Sequence, residues 1–160
     1  MTSKATSAPI DRRELLRAAA LAGVAVLVLP TPDAHAQTTE ESAWEAELKK
    51  ILGDAKPVEG KIALDMPEIA ENGNTVPFSV SVESPMTEAE YVKTVHVLST
   101  GNPQPAVATF HFTPASGKAA VASRMRLAKT QDVISLAELS DGTFAMVRRN
   151  VKVTIGGCGG

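Results

Sequence analysis

The chain contains a single cysteine, Cys158, third from its C-terminus and set between two pairs of glycines, Gly156-Gly157 and Gly159-Gly160. Glycine has no Cβ and the widest backbone freedom of any residue, so this pentapeptide cannot fold by itself and is expected to be a mobile, swinging arm unless another surface holds it. Fully extended, five residues reach roughly 17 Å, at about 3.3 to 3.6 Å per residue. A thiol on so thin a tether can enter a narrow channel in another protein, present a bound group and withdraw. The same surroundings are poor for catalysis. No cationic side chain stands beside Cys158 in sequence, the terminal carboxylate lies two residues on, and an ordinary thiol is ionised only to a few per cent at neutral pH. The chain is therefore read as a covalent carrier and not as an enzyme, with Cys158 accepting sulfur through a disulfide-type bond.

Two other uses of the tail are weaker. Prenylation requires the cysteine to stand fourth from the end. A terminal Gly-Gly whose carboxylate is activated by ATP does not suit a protein exported from the cytoplasm. The alternative from a different class is a structural or adhesion module that dimerises through an intermolecular Cys158 disulfide. Elsewhere the residues offer little chemistry. His96 and His111 fall within expected strands and have no Cys, Asp or Glu at metal-ligand spacing, so no metal is expected. Glycine-rich phosphate loops are absent, and no cofactor is expected beyond the sulfur adducts themselves.

The N-terminus explains where such chemistry would take place. Adjacent Arg12 and Arg13 precede Leu15 and Leu16 and an apolar run of 12 residues, Ala18 to Leu29. That run is short of the roughly 20 residues of a membrane-spanning helix. Pro30, Pro32 and the small residues of Ala34-His35-Ala36 follow, which predicts a twin-arginine signal peptide over residues 1–36, cleaved between Ala36 and Gln37. The expected destination is the periplasm, reached after folding, with no membrane attachment once the signal is removed. The leader holds four cations (Lys4, Arg12, Arg13, Arg17) and three acids (Asp11, Glu14, Asp33), leaving 12 Lys and Arg against 15 Asp and Glu in the remaining 124 residues. A mildly acidic domain is not one that binds nucleic acid.

Those 124 residues must position the tail with a modest core, because the aromatics number only six: Trp44, Phe78, Tyr91, Phe110, Phe112 and Phe144. With one cysteine, no disulfide framework supports them. Trp44, Leu48, Ile51 and Leu52 lie on one helical stripe, which predicts an amphipathic helix from Thr38 to Gly53, with Thr38 and Glu41 as a capping box and Gly53 as the C-terminal cap. After Gly53 the period changes to two and turn residues recur at short intervals. Val76, Phe78, Val80 and Val82 alternate with polar residues, and Pro77 marks an edge position or a strand start. Tyr91 to Ser99, an inward row of Ala106, Ala108, Phe110 and Phe112, and a further strand through Val121 to Leu127 follow. Asp132 to Leu139 is ambiguous between strand and helical turn, Asp141-Gly142 signals a hairpin, and Thr143 to Ile155 carries one or two last strands. Six or seven short strands predict an all-β, immunoglobulin-like antiparallel sandwich with a short N-terminal helix over residues 37–155, followed by the arm at 156–160.

The ending GGCGG after the strand VKVTI, together with the twin-arginine leader, resembles the SoxY family of the thiosulfate-oxidising Sox system. PFSVSVESPMT, YVKTVHVLSTGNPQP, ATFHFTP and RLAKTQDVISLAELSDGTF are similar to that family too, so the resemblance covers essentially the whole mature chain. It implies a non-catalytic carrier paired as a heterodimer with a SoxZ-like subunit. A c-type cytochrome enzyme would load thiosulfate onto Cys158 as cysteine S-thiosulfonate, a hydrolase would release sulfate, and a molybdenum and haem sulfane dehydrogenase would oxidise the sulfur that remains. Gly156, Gly157, Gly159 and Gly160 would form the arm.

Overall fold

The computed structural model describes residues 42–157; the signal-peptide reading with Arg12, Arg13, Ala36 and Gln37 lies outside them, as do Cys158, Gly159 and Gly160. Helix α1 (Ala43–Leu52) opens at Ser42. The backbone N–H and the hydroxyl of Ser42 donate to Glu45 Oε2 at 3.0 and 2.7 Å, and these bonds hold the Glu45 carboxyl below its usual pKa. Thr38 and Glu41 lie outside the described residues. Ser42 and Glu45 repeat their spacing four residues later, immediately before the apolar stripe, and it is this second pair that caps the helix. Gly53 closes it as expected, in a positive-φ conformation (φ 57°) that suits glycine.

Eight strands follow in two sheets. The smaller sheet joins β1 (Ile62–Asp65), β3 (Val76–Val82) and β6 (Ala119–Met125) in the order β1-β3-β6. The larger joins β2 (Ile69–Asn72), β4 (Val92–Ser99), β5 (Ala106–His111), β7 (Gln131–Leu139) and β8 (Phe144–Ile155) in the order β2-β8-β7-β4-β5. Every pairing is antiparallel except β2 with β8, which is parallel. The sandwich expected from the alternation is present. Asp132 to Leu139 is strand and not a helical turn, and Thr143 to Ile155 yields one strand of 12 residues. Strand β3 is central rather than at an edge. Pro77 is accommodated because β1 pairs only with Ser79 to Val82, so the proline sits at the strand start, beyond the end of β1.

The core between the sheets takes Val76, Phe78, Val80 and Val82 from one side and Val95, Val97, Val133 and Ala137 from the other, all buried. Strand β5 contributes less than its pattern promised. As an edge strand with a register shift opposite Val97 and Leu98, it leaves Phe110 and Phe112 partly buried and Ala106 exposed. The other face of the large sheet carries Leu98, Ile134 and Leu136, all buried yet outside the main core. Helix α1 lies on this side, with Trp44 stacked under the Arg148 guanidinium at 4.9 Å and Arg148 paired across the sheet with Ile134.

One buried group lacks a partner among the described residues: Ser135 Oγ, in a fully buried side chain of β7. Burying a hydroxyl without a hydrogen bond costs free energy, and removing it opens only a small void. Ser135→Ala is therefore expected to leave stability unchanged or raise it by up to about 1 kcal/mol in urea denaturation. A loss of more than about 1 kcal/mol would show that the hydroxyl is satisfied in solution.

Candidate functional site

Strand β8 ends at Ile155 and runs directly into Gly156 and Gly157. A chain of backbone hydrogen bonds holds this ending. The Gly73 N–H donates to the Ile155 carbonyl at 2.7 Å, the Leu127 N–H to the Gly73 carbonyl at 2.8 Å, and the Gly157 N–H to the Leu127 carbonyl at 2.9 Å. Three segments meet there: the β2–β3 turn, the β6–β7 connection and the end of β8. Gly73 and Gly157 are buried, while Gly156 is exposed.

The surrounding side chains hold both halves of this seat. In the β2–β3 turn, Asn72 Oδ1 accepts from the Asn74 backbone N–H at 2.9 Å and from its Nδ2 at 3.1 Å. From the β4–β5 turn, Asn102 braces the β6–β7 connection: its Nδ2 donates to the Arg126 carbonyl at 2.8 Å, and its Oδ1 accepts from the Ala128 N–H at 3.0 Å and Gln131 Nε2 at 2.8 Å. Gln131 Oε1 in turn accepts from the Gly101 N–H at 2.6 Å. Thr130 Oγ1 accepts from the Val153 N–H at 3.0 Å, tying the connection to β8. The Asn-Pro turn after β4, which looks in sequence like a plain strand breaker, thus braces the shelf on which Gly157 rests.

Of the residues expected to form the arm, the structure describes two, and both lie against the domain. Gly156 and Gly157 stand where other backbone passes too close for a side chain: a Cβ would be 2.2 Å from the Ala128 carbonyl oxygen at Gly156, and 2.7 Å from the Gly73 oxygen at Gly157. The sequence marks Asn102 only as part of a turn and Leu127 and Ala128 only as strand positions, and it does not single out Gly73. The Asn72-Gly73-Asn74 sequence favours a turn, a signal that says nothing of what packs on it.

The two histidines of the domain sit on β4 and β5, each beside a threonine of the neighbouring strand. His96 Nδ1 is 3.1 Å from Thr109 Oγ1, and His111 Nδ1 is 3.4 Å from Thr94 Oγ1. Among the described residues no group of three or more His, Cys, Asp and Glu side chains is placed to hold a metal ion. Burial pushes the His96 pKa below its ordinary value, with Glu138 opposing the shift. A histidine whose folded pKa is depressed binds its proton more readily in the unfolded chain, so stability is lost as pH falls below about 6.5. His96→Gln is expected to flatten the stability profile on the acid side of that value, measured by urea midpoints from pH 5 to 8. An unchanged slope would remove His96 as its source.

Among the described residues no helix is long and apolar enough to cross a membrane. A family model described as sulfur oxidation protein SoxY matches residues 48–158, a span that takes in the sandwich, the seat and the cysteine. The chain belongs to the SoxY family. The sulfur carrier protein SoxY of Chlorobium limicola f thiosulfatophilum is similar in structure at TM-score 0.59 and 31% identity, covering 71% of this chain and 98% of that one. Superoxide reductases share the sandwich more distantly. The neelaredoxin of Ignicoccus hospitalis matches at TM-score 0.53 and 17% identity, over 59% of this chain and 80% of its own. A putative superoxide reductase of Thermotoga maritima matches at TM-score 0.55 and 17% identity, over 64% and 96%. At such identity the likeness extends to the fold alone. No curated protein matches the chain.

Proposed function

We propose that this SoxY-family protein is a non-catalytic sulfur carrier, holding thiosulfate-derived groups covalently on Cys158 and presenting them to partner enzymes. One observation carries the reading: the last strand of the domain delivers Gly157 to a braced seat at the sandwich end, one residue before the only cysteine of the chain. In a SoxY-family chain, a sole cysteine placed in sequence one residue beyond such a seat suits a covalent carrier.

The steps balance as follows. The thiol loses its proton and its sulfur joins the outer sulfur of thiosulfate, while the two electrons released pass one at a time to c-type cytochrome haem. Water then attacks the terminal sulfonate in a hydrolase, freeing sulfate and leaving a persulfide on Cys158. A molybdenum and haem sulfane dehydrogenase would oxidise the outer sulfur to a sulfonate, three waters supplying the oxygens and the six electrons leaving through its haem to a cytochrome acceptor, and a second hydrolysis would release sulfate and restore the thiol. The carrier lends the Cys158 sulfur, which is the leaving group of the final hydrolysis, and none of its other side chains takes part. The reading also includes a SoxZ-like subunit as heterodimer partner and a periplasmic location reached by the twin-arginine route through Arg12 and Arg13. Folding before export would let a leaderless partner travel bound to this chain.

The test is the mass of the C-terminal peptide from protein purified without reductant. Additions of sulfur, sulfite or thiosulfate on Cys158 are expected. A disulfide-linked dimer as the only modified form would overturn the carrier reading in favour of a structural module.

A further inference from the structure

We infer that Gly73 is a positioning residue for Cys158: the seam it forms with Leu127 and Gly157 is the fulcrum of the carrier arm, which therefore begins after Gly157 and not after Ile155. The inference rests on the carrier reading of Cys158. Its physical basis is that the tightest contacts of the seam are with backbone, the next nearest neighbour being the Val153 side chain, at 2.9 Å from a Cβ at Gly73. A Cβ at Gly73 would stand 2.2 Å from the Leu127 oxygen and 2.7 Å from the Gly157 nitrogen, and neither is the far end of a flexible side chain that could swing away. Gly156 meets the Ala128 oxygen at 2.2 Å and Gly157 meets the Gly73 oxygen at 2.7 Å. The three glycines interlock, each placed where the backbone of another segment passes. Close approach, and not freedom, is what requires glycine at 156 and 157.

The seam also satisfies its own polar groups. Gly73 both donates, to Ile155, and accepts, from Leu127, while Leu127 accepts from Gly157, so opening the seat would strand donors and acceptors in a buried place. The shelf beneath does not yield easily, since Asn102 and the buried Gln131 bond it on both sides. Measured from Gly157, the Cα of Cys158 is one residue away, about 3.8 Å, where a tail hinged at Ile155 would place it roughly 10 Å out. A partner enzyme must then approach the β2–β3 turn and the β6–β7 connection closely to take the cargo. Those two segments become part of what partners recognise.

The experiment uses the mature chain, with amide hydrogen exchange at Gly157 followed by NMR and a nitroxide placed on Cys158. The Gly157 amide is expected to exchange about tenfold or more slower than in a free peptide, and the nitroxide to give a restricted spectrum. Gly156→Ala should abolish that protection and narrow the nitroxide lines while leaving exchange in β4 and β7 unchanged. Gly73→Ala should do the same; if it fails to fold, Gly156→Ala carries the test, since it follows the last strand. Free-peptide exchange at Gly157 in the unaltered chain would overturn the inference, as would protection that survives Gly156→Ala. Neither readout involves sulfur chemistry, so the seam and the carrier reading stand or fall separately.

Discussion

Cys158→Ser is expected to reduce thiosulfate-dependent electron transfer in a reconstituted system to background, with domain stability changed by no more than about 0.5 kcal/mol. The size of the first effect follows from the bond at stake. A serine hydroxyl has no redox chemistry comparable to a thiol and cannot form the sulfur–sulfur link that keeps the intermediate attached between enzymes. Each turnover would end before it began, so the loss is complete rather than graded. The small second effect follows from placement: Cys158 comes after the last residue of the seat, and the hydrogen bonds that fix that seat are made by Gly73, Leu127 and Gly157. Electron transfer measured with the partner enzymes, alongside a urea melt of the same preparation, checks both halves. Activity retained at the unaltered rate would remove Cys158 as the attachment point. Activity lost together with stability would instead point to a structural role for the tail.

The part of this protein legible from sequence is the part whose physics is local. The alternation Val76, Phe78, Val80, Val82 placed one face of β3 in the core without reference to any other strand, and all four residues are buried. Trp44, Leu48, Ile51 and Leu52 marked the helix stripe for the same reason, and Gly53 its end. Strands β1 and β2 escaped notice because each is only four residues long, with Pro67 between them, too short for a period of two to stand out. The parallel pairing of β2 with β8 joins residues some 80 apart in sequence, and nothing in either segment announces it. The central position of β3 was hidden by Pro77, whose usual edge preference is met here by a neighbour strand that stops short.

The seat illustrates the same limit at the site itself. Gly156 and Gly157 read as freedom, because a glycine-rich terminus ordinarily is free. Their packing against Gly73 and Ala128 depends on two loops distant in sequence, and a glycine chosen for close approach looks identical in one dimension to a glycine chosen for flexibility. Gly73 stands in an Asn-Gly-Asn sequence whose turn preference is local and carries no sign of a packing partner. The sequence points to Cys158 through the rarity of one thiol among four glycines, an expectation on which the carrier proposal rests. What it left open was where the tether is tied.

That distinction separates two substitutions that a freely hinged arm would treat alike. Gly159→Val is expected to leave the urea midpoint unchanged and to lower kcat/KM with the partner enzymes by about 10- to 100-fold. A β-branched side chain next to the cargo adds width and stiffness where a thin backbone must pass, and misplacing the reacting sulfur by about an ångström is costly. Gly157→Val should behave differently. Its Cβ would stand 2.7 Å from the Gly73 oxygen and 3.1 Å from the Asn74 nitrogen, both backbone atoms, so the seam must open before the side chain fits. Protection of the Gly157 amide is then lost along with activity, whereas Gly159→Val preserves it. Steady-state kinetics with each partner and hydrogen exchange on the same two variants provide the comparison. If both lower activity and neither alters exchange, the arm is hinged further in than Gly157; if neither lowers activity, the cargo does not pass through a constriction on its way to the partner's active centre.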